Sequence, residues 1–165
     1  MPINWIGGVE TITGIVLRNL TVNTTAVGNV GTGEDDLRTY SVPAATLAVD
    51  GDHLAFEAAG TFAATANNKR IKVKFGAATL FDTGVLAITA AGDWYVTGLV
   101  IRTGATTQKC VTRFSCTDAA LPTATDYTTA AETLSGAVTL KLTGEATSNN
   151  DIVQEVMIVR LLPAP

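Results

Sequence analysis

Six consecutive residues, Arg70-Ile71-Lys72-Val73-Lys74-Phe75, alternate without a break between charged and apolar side chains. A strict period of two belongs to a strand that shows one face to a core and the other to water. Asn67-Asn68 before it and Gly76 behind it suit turns. Thr79-Leu80-Phe81-Asp82, closed by Thr83-Gly84, follows at the right distance to return as a hairpin partner across Gly76-Ala77-Ala78.

The rest of the 165 residues repeats this theme in short segments. The chain holds 27 Thr, 24 Ala and 16 Val but only 5 Lys and 6 Glu. Thr and Val branch at Cβ and fit a pleated, half-buried surface, whereas Lys and Glu coat soluble helices. Further strands are expected at Gly14 to Leu20, Leu37 to Val42, Asp52 to Ala59 (which Gly60 to Ala63 either continues or bends), Trp94 to Thr103, Gln108 to Thr117, Ala137 to Thr143 and Ile152 to Leu162. The best helical candidate, Tyr127 to Leu134, is weakened by Thr128-Thr129 and Gly136. The pattern predicts an all-β fold: a single-domain antiparallel jelly-roll sandwich of about 8–9 strands. The long last strand is expected to return to the sheet centre beside early strands. Residues 1–30, rich in Gly, Asn and Thr, read as an extended N-terminal arm or an edge strand. Residues 31–165 read as the jelly-roll domain.

Several classes are disfavoured. A net charge of −4 and a pI of about 4.8 argue against a direct nucleic-acid contact, which needs a basic patch. No apolar run approaches the roughly 18–20 residues that span a bilayer, and the start lacks the plan of a secretory signal, so no membrane association is expected. Cys110 and Cys116 are six residues apart on one predicted strand, which puts them on one face but about 20 Å apart, too far for a disulfide. They read as small core residues in a reducing compartment.

Chemistry is sparse. His53 is the only histidine, and neighbouring Asp52 points to the opposite face of a strand, so the pair makes no oriented base. Glu34-Asp35-Asp36 and Asp50-Gly51-Asp52 lack the ligand spacing of a calcium loop, and Gly31-Thr32-Gly33 lacks the Lys-Ser or Lys-Thr of a phosphate loop. Asn19-Leu20-Thr21 and Asn23-Thr24-Thr25 match glycosylation sequons but read as ordinary strand and turn residues. The Arg70, Lys72 and Lys74 face reads as solvated charge that also guards a sheet edge. Trp94 and Tyr95 are expected to be one core and one exposed aromatic, not a sugar-stacking platform. No catalytic residue, no metal ligand and no cofactor is therefore expected, and the chain is read as not an enzyme. A surface of Thr, Ala and Gly with few charges fits burial in an assembly.

Three stretches carry a resemblance: Gly31 to Pro43, Ala66-Asn67-Asn68-Lys69 together with Phe75 to Gly84, and Ala131-Glu132-Thr133-Leu134-Ser135-Gly136. Over roughly residues 28–162 the chain resembles tailed-bacteriophage virion structural proteins with a jelly-roll domain, and is most similar to capsid decoration (cement) proteins. That resemblance implies a homotrimer, made in the host cytoplasm, that binds the major capsid protein on the outer capsid surface of the virion and stabilises the head. The alternative it leaves open is a head- or tail-fibre receptor-binding domain recognising a host surface glycan or protein. If the arm contacts the capsid, Trp5, Ile6 and Val9 are the apolar candidates for anchoring.

Overall fold

The computed structural model describes residues 18–117 and 123–165. Among these residues eleven strands follow in chain order: β1 (Arg18–Asn23), β2 (Val27–Gly28), β3 (Gly33–Val42), β4 (His53–Phe62), β5 (Arg70–Phe75), β6 (Ala78–Asp82), β7 (Gly92–Gly104), β8 (Thr107–Cys116), β9 (Ala124–Ala130), β10 (Val138–Ala146) and β11 (Ile152–Leu162). No helix occurs among the described residues. Every strand pairing is antiparallel.

Two sheets face each other. Sheet A runs β1-β11-β4-β7-β8-β9, with β2 also beside β11, and sheet B runs β3-β10-β5-β6. Successive strands keep crossing between the sheets, and late strands insert between early ones. The order β1-β11-β4-β7 over β3-β10-β5-β6 is that of a jelly roll, with β8 and β9 added to one side of sheet A. The last strand does lie beside early ones, between β1 and β4. Of the arm segment 1–30, only residues from Arg18 onward are described, and β1 and β2 run along β11 as an edge.

The segments read from alternation become strands with the inward side chains expected. In β5, Ile71, Val73 and Phe75 are fully buried while Arg70, Lys72 and Lys74 face out. The turn Gly76-Ala77 closes the β5–β6 hairpin, and Gly76 has φ +57°, a conformation that glycine adopts without strain. The β7–β8 hairpin closes at Ala105-Thr106. The helical candidate at Tyr127 to Leu134 is not helical: β9 runs through Ala130 and a turn follows at Leu134-Ser135. Thr125, Tyr127 and Thr129 lie on one side of that strand, so the Thr residues that weaken a helix supply its strand preference. The basic face also differs from expectation in its place, because β5 lies between β10 and β6 and guards no edge.

The core of sheet A is built by matching large against absent side chains across β4 and β7. Phe56 lies opposite Gly98, Gly60 opposite Trp94, and Phe62 opposite Gly92. A Cβ on Gly98 would fall 2.4 Å from the Phe56 ring, and one on Gly60 would fall 2.6 Å from the Trp94 indole. The two rings thus cover the glycines and keep the sheets close. Trp94 is 1% exposed, and its indole N–H donates to the Thr61 carbonyl at 3.3 Å.

Candidate interaction surface

The two outward faces of the sandwich differ in chemistry. On sheet B the charged residues of β5 meet carboxylates from the neighbouring strands. Arg70 donates twice to Asp82 on β6, at 2.8 and 2.5 Å, and reaches Glu145 on β10 at 3.7 Å. Lys72 and Lys74 both hold Glu34 on β3, and Lys141 on β10 donates to Asp36 at 2.7 Å. Partial burial raises the Glu34 pKa, but the two ammonium groups outweigh it and bring the value down to about 2. Arg70 likewise holds Asp82 below the usual carboxylate range, against a smaller opposing effect of burial. Four cations and four carboxylates therefore cancel within one ladder, and sheet B presents a saturated, neutral face.

Sheet A shows a different outer surface. The register aligns rows of outward residues across its strands: Ala55, Leu99, Val111 and Tyr127 form one, and Val22, Ile158, Glu57, Thr97, Arg113 and Thr125 another. Val22 is 56% exposed, Val111 37%, Tyr95 39% and Tyr127 60%. Glu57 is satisfied inside the face: Arg160 is ion-paired to it and the Tyr95 hydroxyl donates to it at 3.0 Å. Lys109 and Arg113, which flank Val111 on β8, make no ion pair among the described residues. Six strands at about 4.8 Å spacing, averaging between nine and ten residues of about 3.4 Å each, give roughly 900 Å². That matches the roughly 800 Å² per partner of a standard protein interface.

The other residues singled out in the sequence act as structure. Asp52 accepts the N–H groups of Ala48 (2.8 Å), Val49 (2.9 Å) and Ala164 (2.8 Å). Burial raises its pKa, and these donors with nearby Arg102 outweigh that and lower it. It ties the loop before β4 to the residues after β11. His53 points the other way, with Nδ1 3.1 Å from the Gly51 carbonyl, so the two side chains do not meet. Asp35 accepts the Val30 N–H at 2.8 Å, and Asp50 pairs with Arg102 at 2.9 Å. Cys110 and Cys116 share the inward face of β8 without a disulfide, and burial pushes the Cys110 thiol up to about 11. No cluster of three or more His, Cys, Asp or Glu side chains able to hold a metal ion is found among the described residues. Trp5, Ile6 and Val9 lie outside the described residues.

One polar centre was not foreseen. Lys69 is fully buried at one end of the sandwich, and its ammonium donates to the carbonyls of Thr65 (3.2 Å), Asn67 (3.1 Å) and Ile88 (2.8 Å) and to Thr65 Oγ1 (3.1 Å). Asp151 lies behind this cage, accepting from Thr65 Oγ1 and Asn67 Nδ2 at 2.7 Å each and from the Ser148 N–H at 2.9 Å. The arrangement closes the loops between β4 and β5 and between β10 and β11. On sheet B, a polar depression of about 550 Å³ is lined by Asp36, Thr39, Glu132, Thr139 and Lys141.

No protein-family model matches the chain, and no curated protein sequence matches it. A solved structure described as the CBM2 module of an evolved Dit from Lactobacillus casei BL23 phage J-1 is similar at 7% identity, with a TM-score of 0.46. The match covers 90% of this chain and 97% of that chain.

Proposed function

We infer that the protein is a non-enzymatic virion structural protein, a capsid decoration protein whose sheet A seats on the outer capsid surface. The observation that carries this reading is the contrast between the two faces. Sheet B has cancelled its own charges, while sheet A leaves Val22, Val111 and Tyr127 in water over an area of interface size. The sequence resemblance of Gly31–Pro43 and Phe75–Gly84 to phage virion proteins supports the class, as does the low share of charged residues. The action is mechanical: each seated copy buries apolar surface across neighbouring capsid subunits, so that separating them also exposes that surface. A trimer about a three-fold capsid position belongs to the same proposal, because repeated contacts raise avidity without any new chemistry.

A double substitution, Val22→Asp with Val111→Asp, tests the face directly. Val22 is 56% and Val111 37% exposed, so circular dichroism should match the wild type and the melting temperature should fall by only a few degrees. Co-sedimentation with capsids should be lost, and undiminished co-sedimentation would refute the seating. A second reading, glycan recognition, has one observation in its favour: the depression on sheet B offers carboxylates, hydroxyls and an ammonium to sugar hydroxyls. Thr39→Arg with Thr139→Arg would fill it. Glycan-array binding that these changes abolish, with capsid binding absent in the wild type, would favour that reading instead.

A further inference from the structure

Among the described residues the sandwich has four sheet edges, and three of them are interrupted. The register of β1 shifts between Asn19 and Thr21, beside Arg18. Strand β3 opposes a register shift between Leu142 and Thr143 and carries Glu34, Asp35, Asp36 and Arg38. Strand β6 has five residues, a register shift on its partner between Val73 and Lys74, and Asp82 at its end. Bulges, short length and charge are the devices that stop an edge from recruiting another strand.

Strand β9 has little of this protection. Its seven residues pair with β8 in unbroken register from Gln108↔Ala130 to Phe114↔Ala124. It contains no Pro, Lys or Arg and a single charge, Asp126. Thr125, Asp126, Tyr127 and Thr129 are exposed; β6 approaches β9 at Thr128, which donates to the Leu80 carbonyl at 3.4 Å, but among the described residues no strand other than β8 is paired with β9. Such an edge offers a row of main-chain donors and acceptors aimed away from β8.

We propose that this edge pairs with the same edge of a second copy, antiparallel about a two-fold axis through Tyr127. The strand's own sequence selects that occupant and that register. Centred on Tyr127, all seven residues find a partner: Ala124 faces Ala130, Thr125 faces Thr129, Asp126 faces Thr128, and Tyr127 faces its copy. No like charges meet, because each Asp126 lies opposite Thr128, whose hydroxyl donates to the Leu80 carbonyl of its own chain at 3.4 Å. Centring one residue earlier sets Asp126 against Asp126, which is unfavourable, and leaves an end unpaired. The Tyr127 pair also joins the two rows of Leu99, Val111 and Tyr127 into one apolar row across both copies. The contact is a two-fold link, so where three copies already sit about a three-fold axis it joins one trimer to the next. It does not depend on what sheet A docks against.

Site-specific cross-linking with oxidised glutathione tests the pairing and its register together. Each interchain disulfide forms by thiol–disulfide exchange, the two thiols giving up two electrons and two protons as the reagent is reduced to two molecules of glutathione. Facing residues of antiparallel strands have Cα atoms about 4.5 or 5.5 Å apart, both within the span of a disulfide. Tyr127→Cys should yield a species of about 34 kDa, twice the 17.1 kDa chain. Thr125→Cys and Thr129→Cys should cross-link when mixed and not separately, which retains Tyr127 and guards against loss of the pair through its removal. The wild type, with Cys110 and Cys116 in place, is the control and should give no dimer. The proposal is overturned if Tyr127→Cys and the mixture stay monomeric at the highest protein concentration attainable. Cross-linking of Thr125→Cys with itself as readily as with Thr129→Cys would overturn it too, since that outcome marks random collision.

Discussion

Replacing Gly60 by alanine should cost about 3 kcal/mol of stability, although alanine is ordinarily the better strand residue. The gain comes from the unfolded state, where losing glycine's freedom is worth about 0.4–1 kcal/mol. The loss comes from space. A Cβ at this position would lie 1.9 Å from the Val153 carbonyl oxygen, with the Trp94 ring atoms at 2.6 and 2.8 Å. The first obstacle is backbone, held over Gly60 where β11 shifts register between Gln154 and Val156. The second is a ring that is 1% exposed and hydrogen-bonded through its N–H. Neither is the free end of a flexible side chain, so β4 and β11 must separate locally. Overpacking of this kind costs about 1–3 kcal/mol, and a weakened ladder hydrogen bond adds about 1. Urea unfolding should show a lower midpoint with an unchanged slope, and Tm should fall by about 6–12 °C. Gly136→Ala is the matched control: its Cβ meets nothing closer than 3.8 Å and its backbone is not left-handed, so it should gain about 0.5 kcal/mol. If Gly60→Ala equals or exceeds the wild type in stability, the large-against-absent packing of β4 and β7 is wrong.

Two further outcomes follow from the charged groups. Glu34 has its pKa lowered from 4.5 to about 2 in the folded protein, so its stabilisation is complete above about pH 4.5 and is lost as the pH falls toward 2. Denaturant midpoints measured across that window should decline, and Glu34→Gln should flatten the decline while lowering stability at pH 7. Lys69→Met should destabilise by about 3 kcal/mol, because three carbonyls and Asp151 would stay buried without their cation. Thermal melting checks this, and a variant as stable as the wild type would show that the cage contributes nothing.

The sequence exposed the fold where one residue's neighbours told its direction. Alternation placed Ile71, Val73 and Phe75 inside, and the step from Trp94 to Tyr95 divided core from surface as expected. Strand β9 escaped because Thr125-Asp126-Tyr127-Thr128-Thr129 has no apolar alternation to read, being an edge strand whose outward face is largely open. Lys69 escaped for another reason: lysine reads as surface, and only the fold brings Thr65, Asn67 and Ile88 around it. The candidate surface was the least legible part. Ala55, Leu99, Val111 and Tyr127 come from four strands, and their alignment depends on register, which no local pattern states. The cancelled charges of sheet B show the same limit, since Glu34 and Lys72 meet only after β10 has set β3 and β5 on its two sides.

The positions of the two final strands bear on how a newly made chain reaches this structure. Strand β11 fills the place between β1 and β4, and β10 fills the place between β3 and β5. Sheet B is not continuous until β10 has emerged from the ribosome, and sheet A not until β11 has. Until then β4 and β5 each carry an open side. Folding of sheet A thus waits for residues 152–162 and closes very long loops, which places it among slow β topologies. A ribosome-bound chain stopped before residue 152 should be cut readily by protease at sites that the released protein hides.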